Sequence, residues 1–253
     1  MTVTERLNAL RELMKERKID AYLVPTDDFH GSEYVGDYFK CRKYITGFTG
    51  SAGTAVIMQD MAGLWTDGRY FLQAADQLEG STIQLFKMGE PDVPTVHQFL
   101  ADKLEKGMCL GFDGRTVSAR EAGELEELLK EKEITFSVND DLIGEIWNDR
   151  PALSCEPVME LDVKWAGESR ADKIAKIREQ MREKKADIFV LTSLDDIAWF
   201  LNIRGNDVHC CPVVLSYLVM TDEELRLFVN ETVFSGEIRA NLEADGVEIY
   251  PYD

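Results

Sequence analysis

The sequence has no long hydrophobic run and only five cysteines, an odd number. Each of these two features excludes a class of protein. None of its apolar stretches approaches the ~20 residues that a membrane-spanning helix requires. The N-terminal residues MTVTERLNALRELMKERK lack the apolar core of a signal peptide and have the pattern of a helix. Five cysteines in 253 residues do not suggest a disulfide framework and fit a reducing compartment. The sequence therefore predicts a cytoplasmic protein without a membrane segment.

Basic residues are also scarce. Lysine and arginine number 28 against 47 aspartates and glutamates, which gives a formal net charge of −19. Nucleic acids and anionic membranes both need a basic face on their partner, so neither is expected to bind this chain. The acidic residues are dispersed along the chain, and their simplest role is to keep the surface solvated.

The three histidines do not form a catalytic or metal-binding pattern. His30 lies in a polar turn, where a surface position is a simpler interpretation than a ligand contact. His97 falls in a predicted helix without a cysteine or histidine three or four residues away. His209-Cys210-Cys211 contains metal-ligand residue types, but neighbours on an extended chain point to opposite faces, and no second ligand pair exists elsewhere. We therefore predict no metal site and no catalytic residue within this chain.

Motifs for nucleophilic catalysis and for phosphate binding are missing as well. The chain contains no G-x-S-x-G elbow. Its glycine turn, Gly47–Gly53 (GFTGSAG), matches neither G-x-G-x-x-G nor a Walker loop. A nucleotide-binding α/β protein is thus a weak hypothesis, and the glycines are interpreted as a turn between two elements.

A pattern in the N-terminal part of the chain recurs towards its C-terminal end. Residues Met14–Asp28 and Met181–Asp195 are identical at five of fifteen positions. Each copy has a helix N-cap signal, an apolar stripe of helical spacing and a short apolar run typical of a buried strand. The same fold is therefore predicted to occur twice. The signals are Thr2 with Glu5, Leu7, Leu10, Met14 and Ala21–Pro25 in the first copy, and Ser169 with Asp172, Ile174, Ile177, Met181 and Ile188–Leu191 in the second.

Between the copies, segments of helix type and strand type alternate, and one hairpin is predicted. This order predicts an α/β fold with two tandem domains, each a mixed β-sheet flanked by helices. Pro151 and Pro157 bracket a predicted interdomain connector, which places the domains at residues 1–155 and 156–253. The second domain has no counterpart of the last two helices and strands of the first. We expect it to be truncated, the alternative being a domain that is naturally smaller. Helices are predicted over Phe71–Gln77, Val96–Leu104, Ser118–Lys132 and Asp196–Phe200, and strands over Thr54–Met58, Leu64–Thr66, Ile83–Phe86, Met108–Phe112, Ile134–Val138, Val213–Met220, Leu225–Val229 and Val247–Tyr250.

The end of the predicted hairpin carries the most informative polar residues. Asp67-Gly68-Arg69 follows the strand directly, and glycine permits a tight exit because it has no Cβ. Arginine offers a planar fork of donors suited to a carboxylate or a peptide carbonyl. The corresponding strand of the second copy ends in Phe228–Glu231, which has neither the turn nor the arginine. From the residues alone, a ligand contact at Arg69 and a local ion pair with Asp67 are equally supported.

At these residues the chain resembles the N-terminal half of the long, cytosolic-type Xaa-Pro aminopeptidases of the creatinase/prolidase superfamily. The combination of motifs in this order is specific, and the likeness spans essentially the whole chain. The matching segments are Gly47–Ile57 (GFTGSAGTAVI), Trp65–Ala74 (WTDGRYFLQA), Ile146–Pro151 (IWNDRP) and Leu194–Gly205 (LDDIAWFLNIRG) with Asp207-Val208.

The resemblance implies two successive creatinase-type N-terminal domains, with the catalytic "pita-bread" domain absent from these residues. In that catalytic domain, five carboxylate and histidine ligands hold two divalent metal ions, usually manganese, so this chain is expected to bind no metal. The resemblance also implies that Arg69, the arginine of the WTDGRY motif, contacts the peptide substrate in the catalytic domain of a homodimer partner. At Val208–Pro212 the chain departs from many relatives, and no role is transferred to that segment.

Two hypotheses of different classes result. The first is the non-catalytic N-terminal portion of a metal-dependent enzyme that removes the residue preceding proline, in which these domains control substrate access and support dimerisation. The chain alone is then expected to be inactive. The second is a free-standing binding or regulatory module with the creatinase fold and no chemistry.

Overall fold

The computed structural model describes all 253 residues, which divide into two compact units. The first unit comprises residues 1–31 and 38–151, and the second comprises residues 32–37 and 152–253. The chain changes unit after Pro151, within the predicted connector, and residues 151–158 form no helix or strand. The exact domain limits of 1–155 and 156–253 stay a prediction. None of the helices is both long and apolar enough to cross a bilayer.

The first unit is built on a six-stranded mixed sheet of order β4-β3-β2-β1-β5-β6. Strands β1, β2 and β3 are antiparallel neighbours, whereas β3 pairs with β4, and β5 with β1 and β6, in parallel. This confirms the predicted mixed sheet and the hairpin. The elements are α1 (Val3–Arg17), β1 (Ala21–Val24), α2 (Cys41–Thr46), β2 (Thr54–Met58), β3 (Ala62–Thr66), α3 (Phe71–Gln77), β4 (Ile83–Lys87), α4 (Val96–Lys103), β5 (Cys109–Gly111), α5 (Ala119–Leu129), β6 (Thr135–Ser137) and α6 (Leu142–Ile146).

Apolar side chains fill both faces of this sheet. The α1 stripe of Leu7, Leu10 and Met14 is buried on one face, and the predicted capping box of Thr2 and Glu5 starts the helix. On the other face, the Trp65 ring stacks on Phe86 with centroids 4.0 Å apart, and Phe99 packs edge-on against both. A strand with both faces covered reads as a continuous apolar run, as β1 does.

The second unit repeats the first four strands of this topology. Its sheet has the order β12-β11-β10-β8, again with two antiparallel pairs and one parallel pair at the end. The elements are β7 (Met159–Glu160), α7 (Val163–Ala166), α8 (Arg170–Lys184), β8 (Phe189–Leu191), α9 (Leu194–Leu201), β9 (Ile203–Arg204), β10 (Ser216–Met220), β11 (Leu225–Val229), α10 (Gly236–Ala244) and β12 (Val247–Tyr250).

The two copies agree in detail at their first helices. The C-cap of α1 is Lys18 and that of α8 is Lys185, both left-handed residues with φ of 58° and 55°. The predicted repeat is therefore confirmed at the level of caps and sheet order. It differs at one edge, because β1 lies between β2 and β5 whereas β8 pairs with β10 alone. The side chain of Val190 on that open edge is 54% exposed.

Several elements differ from the prediction. Helices α2, α6, α7 and α10 and the pair β7–β9 were not predicted, since each is short or lacks a clear apolar period. Val213–Leu215 was predicted as strand but precedes β10 as irregular chain. The predicted helix over Ser118–Lys132 ends at Leu129 and continues as a 3₁₀ turn.

Candidate functional site

The candidate site is the turn Asp67–Arg69, at the carboxyl end of β3. The N–H of Tyr70 donates to the carbonyl of Asp67 at 3.0 Å, which closes a β-turn just before α3. The hydroxyl of Thr66, whose side chain is buried, donates to the carbonyl of Ala52 at 2.7 Å. The base of the turn is thus fixed to the glycine turn before its exposed residues begin.

Arg69 and Asp67 form a bidentate ion pair within the turn. Arg69 Nε donates to Asp67 Oδ1 and Nη2 to Oδ2, both at 2.8 Å, and the backbone N–H of Arg69 donates to Oδ1 at 3.0 Å. These hydrogen bonds from Arg69 lower the pKa of Asp67 to about 2. Because the folded pKa is depressed, Asp67 stays ionised at neutral pH, and the ion pair is lost only as the pH falls towards 2.

The ion pair orients the guanidinium while leaving much of it accessible. The Arg69 side chain is 68% exposed and that of Asp67 is 37% exposed. The guanidinium carbon lies 5.2 Å from the centroid of the Tyr70 ring. An arginine held by two bonds on one edge can offer donors to a carboxylate or carbonyl with little further loss of side-chain entropy.

The glycine turn Gly47–Gly53 is organised by a buried arginine that the sequence did not single out. Arg42, 3% exposed, donates through Nη1 to the carbonyl of Phe48 at 2.6 Å and through Nη2 to the carbonyl of Gly50. Its Nε donates to the Thr26 hydroxyl at 2.9 Å. Burial lowers the pKa of Arg42 to about 10, so the side chain remains charged at neutral pH. Arg42 therefore binds two backbone carbonyls of this turn from its buried side.

Further polar contacts join the glycine turn to the segment that follows Arg69. The hydroxyls of Ser51 and Tyr70 are 2.6 Å apart, and the N–H of Thr49 donates to Gln77 Oε1 at 2.8 Å. A Cβ on Gly50 would lie 2.2 Å from the Phe48 ring, so the close approach requires glycine there. The glycine turn and the Asp67–Arg69 turn thus form one connected support.

The same tripeptide, with the same ion pair, occurs a second time in the first unit. Asp113-Gly114-Arg115 follows β5, and Arg115 binds Asp113 with Nε to Oδ1 at 3.0 Å and Nη2 to Oδ2 at 2.9 Å. Arg115 also lies over the Phe29 ring at 4.4 Å. The bidentate geometry is therefore a property of the Asp-Gly-Arg turn itself, and a function of Arg69 must rest on its exposure and position.

The glycines of the two turns have different roles, and the interpretation of Gly68 from sequence is wrong. Gly68 has no left-handed φ, and a Cβ there would meet only the Phe71 ring at 3.8 Å. A Cβ on Gly114 would lie 2.7 Å from the carbonyl oxygen of Val138. The close backbone approach that excludes a side chain thus exists at the second turn only.

We expect Gly68→Ala to leave the free energy of unfolding within about 0.5 kcal/mol of the parent value. Gly114→Ala is expected to cost about 1–3 kcal/mol, because backbone must move to admit the methyl group. Chemical denaturation of the two variants side by side measures the difference. Equal losses in both would contradict this account of the turns.

The second unit offers no equivalent of Arg69. After β11, the Asn230 side chain accepts from the N–H of Thr232 at 3.1 Å and starts a 3₁₀ turn, Glu231–Val233. The structure therefore agrees with the prediction that the polar turn belongs to one copy.

The remaining residues with chemical potential are dispersed. His97 lies on α4, with Nε2 3.9 Å from a Glu121 carboxylate oxygen. Arg150 of the IWNDRP segment pairs with Asp141 and donates to the carbonyl of Tyr38. These contacts give it a structural role within the first unit. Among all 253 residues, no group of three or more histidine, cysteine, aspartate or glutamate side chains could hold a metal ion. The residues present therefore do not fit a di-metal centre.

Comparison with known proteins matches the whole chain to one family. Two family models, both described as creatinase/prolidase N-terminal domain, match residues 6–143 and 149–253. Aminopeptidase P2 of Arabidopsis thaliana is 42% identical over 100% of this chain and 36% of its own length. "Probable Xaa-Pro aminopeptidase P" of Laccaria bicolor is 43% identical over 100% of this chain and 39% of its own length.

A solved structure gives the same correspondence. The crystal structure of X-prolyl aminopeptidase from Caenorhabditis elegans, described as a cytosolic enzyme with a di-nuclear active site, has a TM-score of 0.94 and 38% identity. The match covers 100% of this chain and 43% of that one. The chain thus spans about two fifths of the length of the relatives it matches.

Proposed function

Because the chain belongs to the creatinase/prolidase N-terminal domain family, we propose that it is the non-catalytic N-terminal portion of a cytosolic, metal-dependent Xaa-Pro aminopeptidase. The complete enzyme would remove the N-terminal residue from peptides with proline in second place. The support is the match of the full chain to only part of each aminopeptidase relative. Within that enzyme, the two units would restrict access to the active site and support a homodimer.

The observation that carries a direct role for this chain is the exposed, oriented guanidinium of Arg69. Its fork is held by Asp67 and supported from below by the glycine turn and Arg42. Arg69 would bind a carboxylate or carbonyl oxygen of the peptide that lies in the catalytic domain of the partner subunit. A charge-assisted hydrogen bond from a preorganised donor fits this task.

Two divalent metal ions, with manganese as the proposed identity, would be held by the catalytic domain outside these residues. When bound, such ions supply a water activated for attack on the Xaa-Pro bond. The residues of this chain would orient the peptide and exclude bulk water, and none of them would move a proton or form a covalent intermediate.

The alternative is a free-standing module with this fold that binds peptides or regulates another protein without chemistry. The reading frame beyond Asp253 distinguishes the two hypotheses. Continuation into a domain with metal ligands supports the enzyme, and a natural stop codon supports the module.

We expect the 253-residue chain to release no N-terminal residue from an Xaa-Pro peptide, with or without added manganese, because it has no group of metal ligands. The complete protein, assayed in parallel, should cleave the same peptide. Metal-dependent release by the 253-residue chain would contradict the proposal.

A further inference from the structure

The segment His209-Cys210-Cys211 is not extended, as the sequence suggested, but forms a tight turn in the second unit. The N–H of Cys211 donates to the carbonyl of Val208 at 3.0 Å, which closes the turn. Cys210, at the third position of the turn, has a left-handed backbone with φ of 63°. Such a conformation is uncommon for any residue but glycine, asparagine or aspartate. The alternation that would point the two cysteine side chains to opposite faces is therefore broken.

Buried residues that precede the turn fix its position. Val208 is 2% exposed. The carboxylate of Asp207, 7% exposed, accepts from the N–H of Leu215 at 2.8 Å and from that of Glu156 at 3.1 Å. The two cysteines thus stand on a fixed base, which reduces the entropy lost when a ligand orders them.

Both cysteines are at least partly accessible to solvent, and Cys210 contributes to the pKa of Cys211. Cys210 is exposed and Cys211 is half-buried. Burial raises the pKa of Cys211, and the neighbouring Asp195, Cys210 and Glu33 raise it further. A thiol that stays protonated at neutral pH reacts slowly with peroxide, so Cys211 is poorly suited to sensing oxidation.

We propose that Cys210 and Cys211 form a chelating site for soft, thiophilic elements, for which trivalent arsenic is the probe. Two sulfur ligands on one rigid turn suit such elements, because thiolate sulfur is the protein ligand that they prefer. With an organoarsenic(III) oxide, two As–S bonds form and the As–O bond breaks. The oxygen leaves as water with both thiol protons, so arsenic remains trivalent and no oxidant or reductant is needed.

The other cysteines supply matched controls for this site. Cys155 is exposed but has no neighbouring cysteine in the sequence. It can therefore form only one bond to an arsenical and cannot chelate it. Cys41 is half-buried, Arg150 Nη2 donates to its sulfur at 3.3 Å, and burial raises the pKa of its thiol to about 12. Cys210 and Cys211 are the only two cysteines that are adjacent in the sequence, and both are accessible.

The experiment measures phenylarsine oxide binding to the reduced, desalted 253-residue chain by intact mass in the presence of excess 2-mercaptoethanol. We expect one arsenical per chain, retained against the monothiol and removed by 1,2-ethanedithiol. Cys155→Ser should behave as the parent. Cys210→Ser and Cys211→Ser should each bind roughly 100-fold more weakly or worse, since chelation supplies an effective concentration of the second thiol.

Thermal unfolding of each variant shows whether the serine substitutions leave the fold intact, as expected for exposed and half-buried positions. Binding that persists unchanged in a folded Cys210→Ser or Cys211→Ser variant would overturn the proposal. So would a parent protein that loses the arsenical to the monothiol, or loss of binding on Cys155→Ser alone.

Discussion

Arg42→Ala is expected to destabilise the first unit by roughly 3 kcal/mol or more, the largest stability effect predicted for this chain. The substitution removes a buried cation and deprives its three partners, the carbonyls of Phe48 and Gly50 and the Thr26 hydroxyl, of their guanidinium donor. Each buried acceptor left unpaired costs about 1–3 kcal/mol, and the lost packing on the Phe48 ring adds to this.

At about 2–4 °C per kcal/mol for a unit of this size, the midpoint of thermal unfolding should fall by roughly 6–12 °C. Arg42→Lys should recover only part of the loss, because an ammonium group cannot reproduce the planar fork that bonds both carbonyls. Arg120→Ala is the control, since Arg120 is 89% exposed and pairs only with Glu124 on its own helix. If Arg42→Ala and Arg120→Ala unfold alike, the buried arginine does not organise the glycine turn.

The order and type of the main elements could be predicted because each is encoded locally. Thr2 with Glu5 and Ser169 at the start of α8 are visible in the sequence, and apolar stripes at helical spacing follow them. The internal repeat predicts that the two domains share one fold, and their common strand order agrees with this. Short helices such as α2 and α10 could not be found in this way, because tertiary packing rather than periodicity stabilises them.

The candidate site was only half predictable. Arg69 stands beside its partner in the sequence, so a turn with an ion pair could be expected. Arg42 could not be found, because its acceptors Phe48, Gly50 and Thr26 come together only when α2 packs beside the sheet. No composition or spacing signal marks an arginine whose partners are backbone carbonyls.

The second Asp-Gly-Arg turn shows that an identical motif can have different surroundings in the fold. Its tripeptide is identical and its ion pair has the same geometry, yet Arg115 packs on Phe29 and lies 3.7 Å from Asp141. Sequence alone assigns both arginines the same local structure. Their exposure and neighbours differ, and those depend on the fold.

Arg69→Ala in the complete aminopeptidase is expected to lower kcat/KM for an Xaa-Pro-Pro peptide by roughly 10–150-fold. This corresponds to the ~1.5–3 kcal/mol of a charge-assisted hydrogen bond to the substrate. The thermal stability should change little, because the ion pair with Asp67 lies at the surface and such pairs contribute little to folding. A peptide with an amidated C-terminus tells the two acceptors apart, since it should be processed equally by parent and variant if Arg69 binds the terminal carboxylate.

The most direct test compares Arg69→Ala with Arg115→Ala in that complete enzyme under identical conditions. Both variants lose the same ion pair within the same tripeptide, so any purely structural effect of the turn should appear in both. We expect a large loss of kcat/KM for Arg69→Ala and a change of less than about 3-fold for Arg115→Ala. Unchanged kinetics for Arg69→Ala, or equal losses in the two variants, would contradict the claim that Arg69 contacts the substrate.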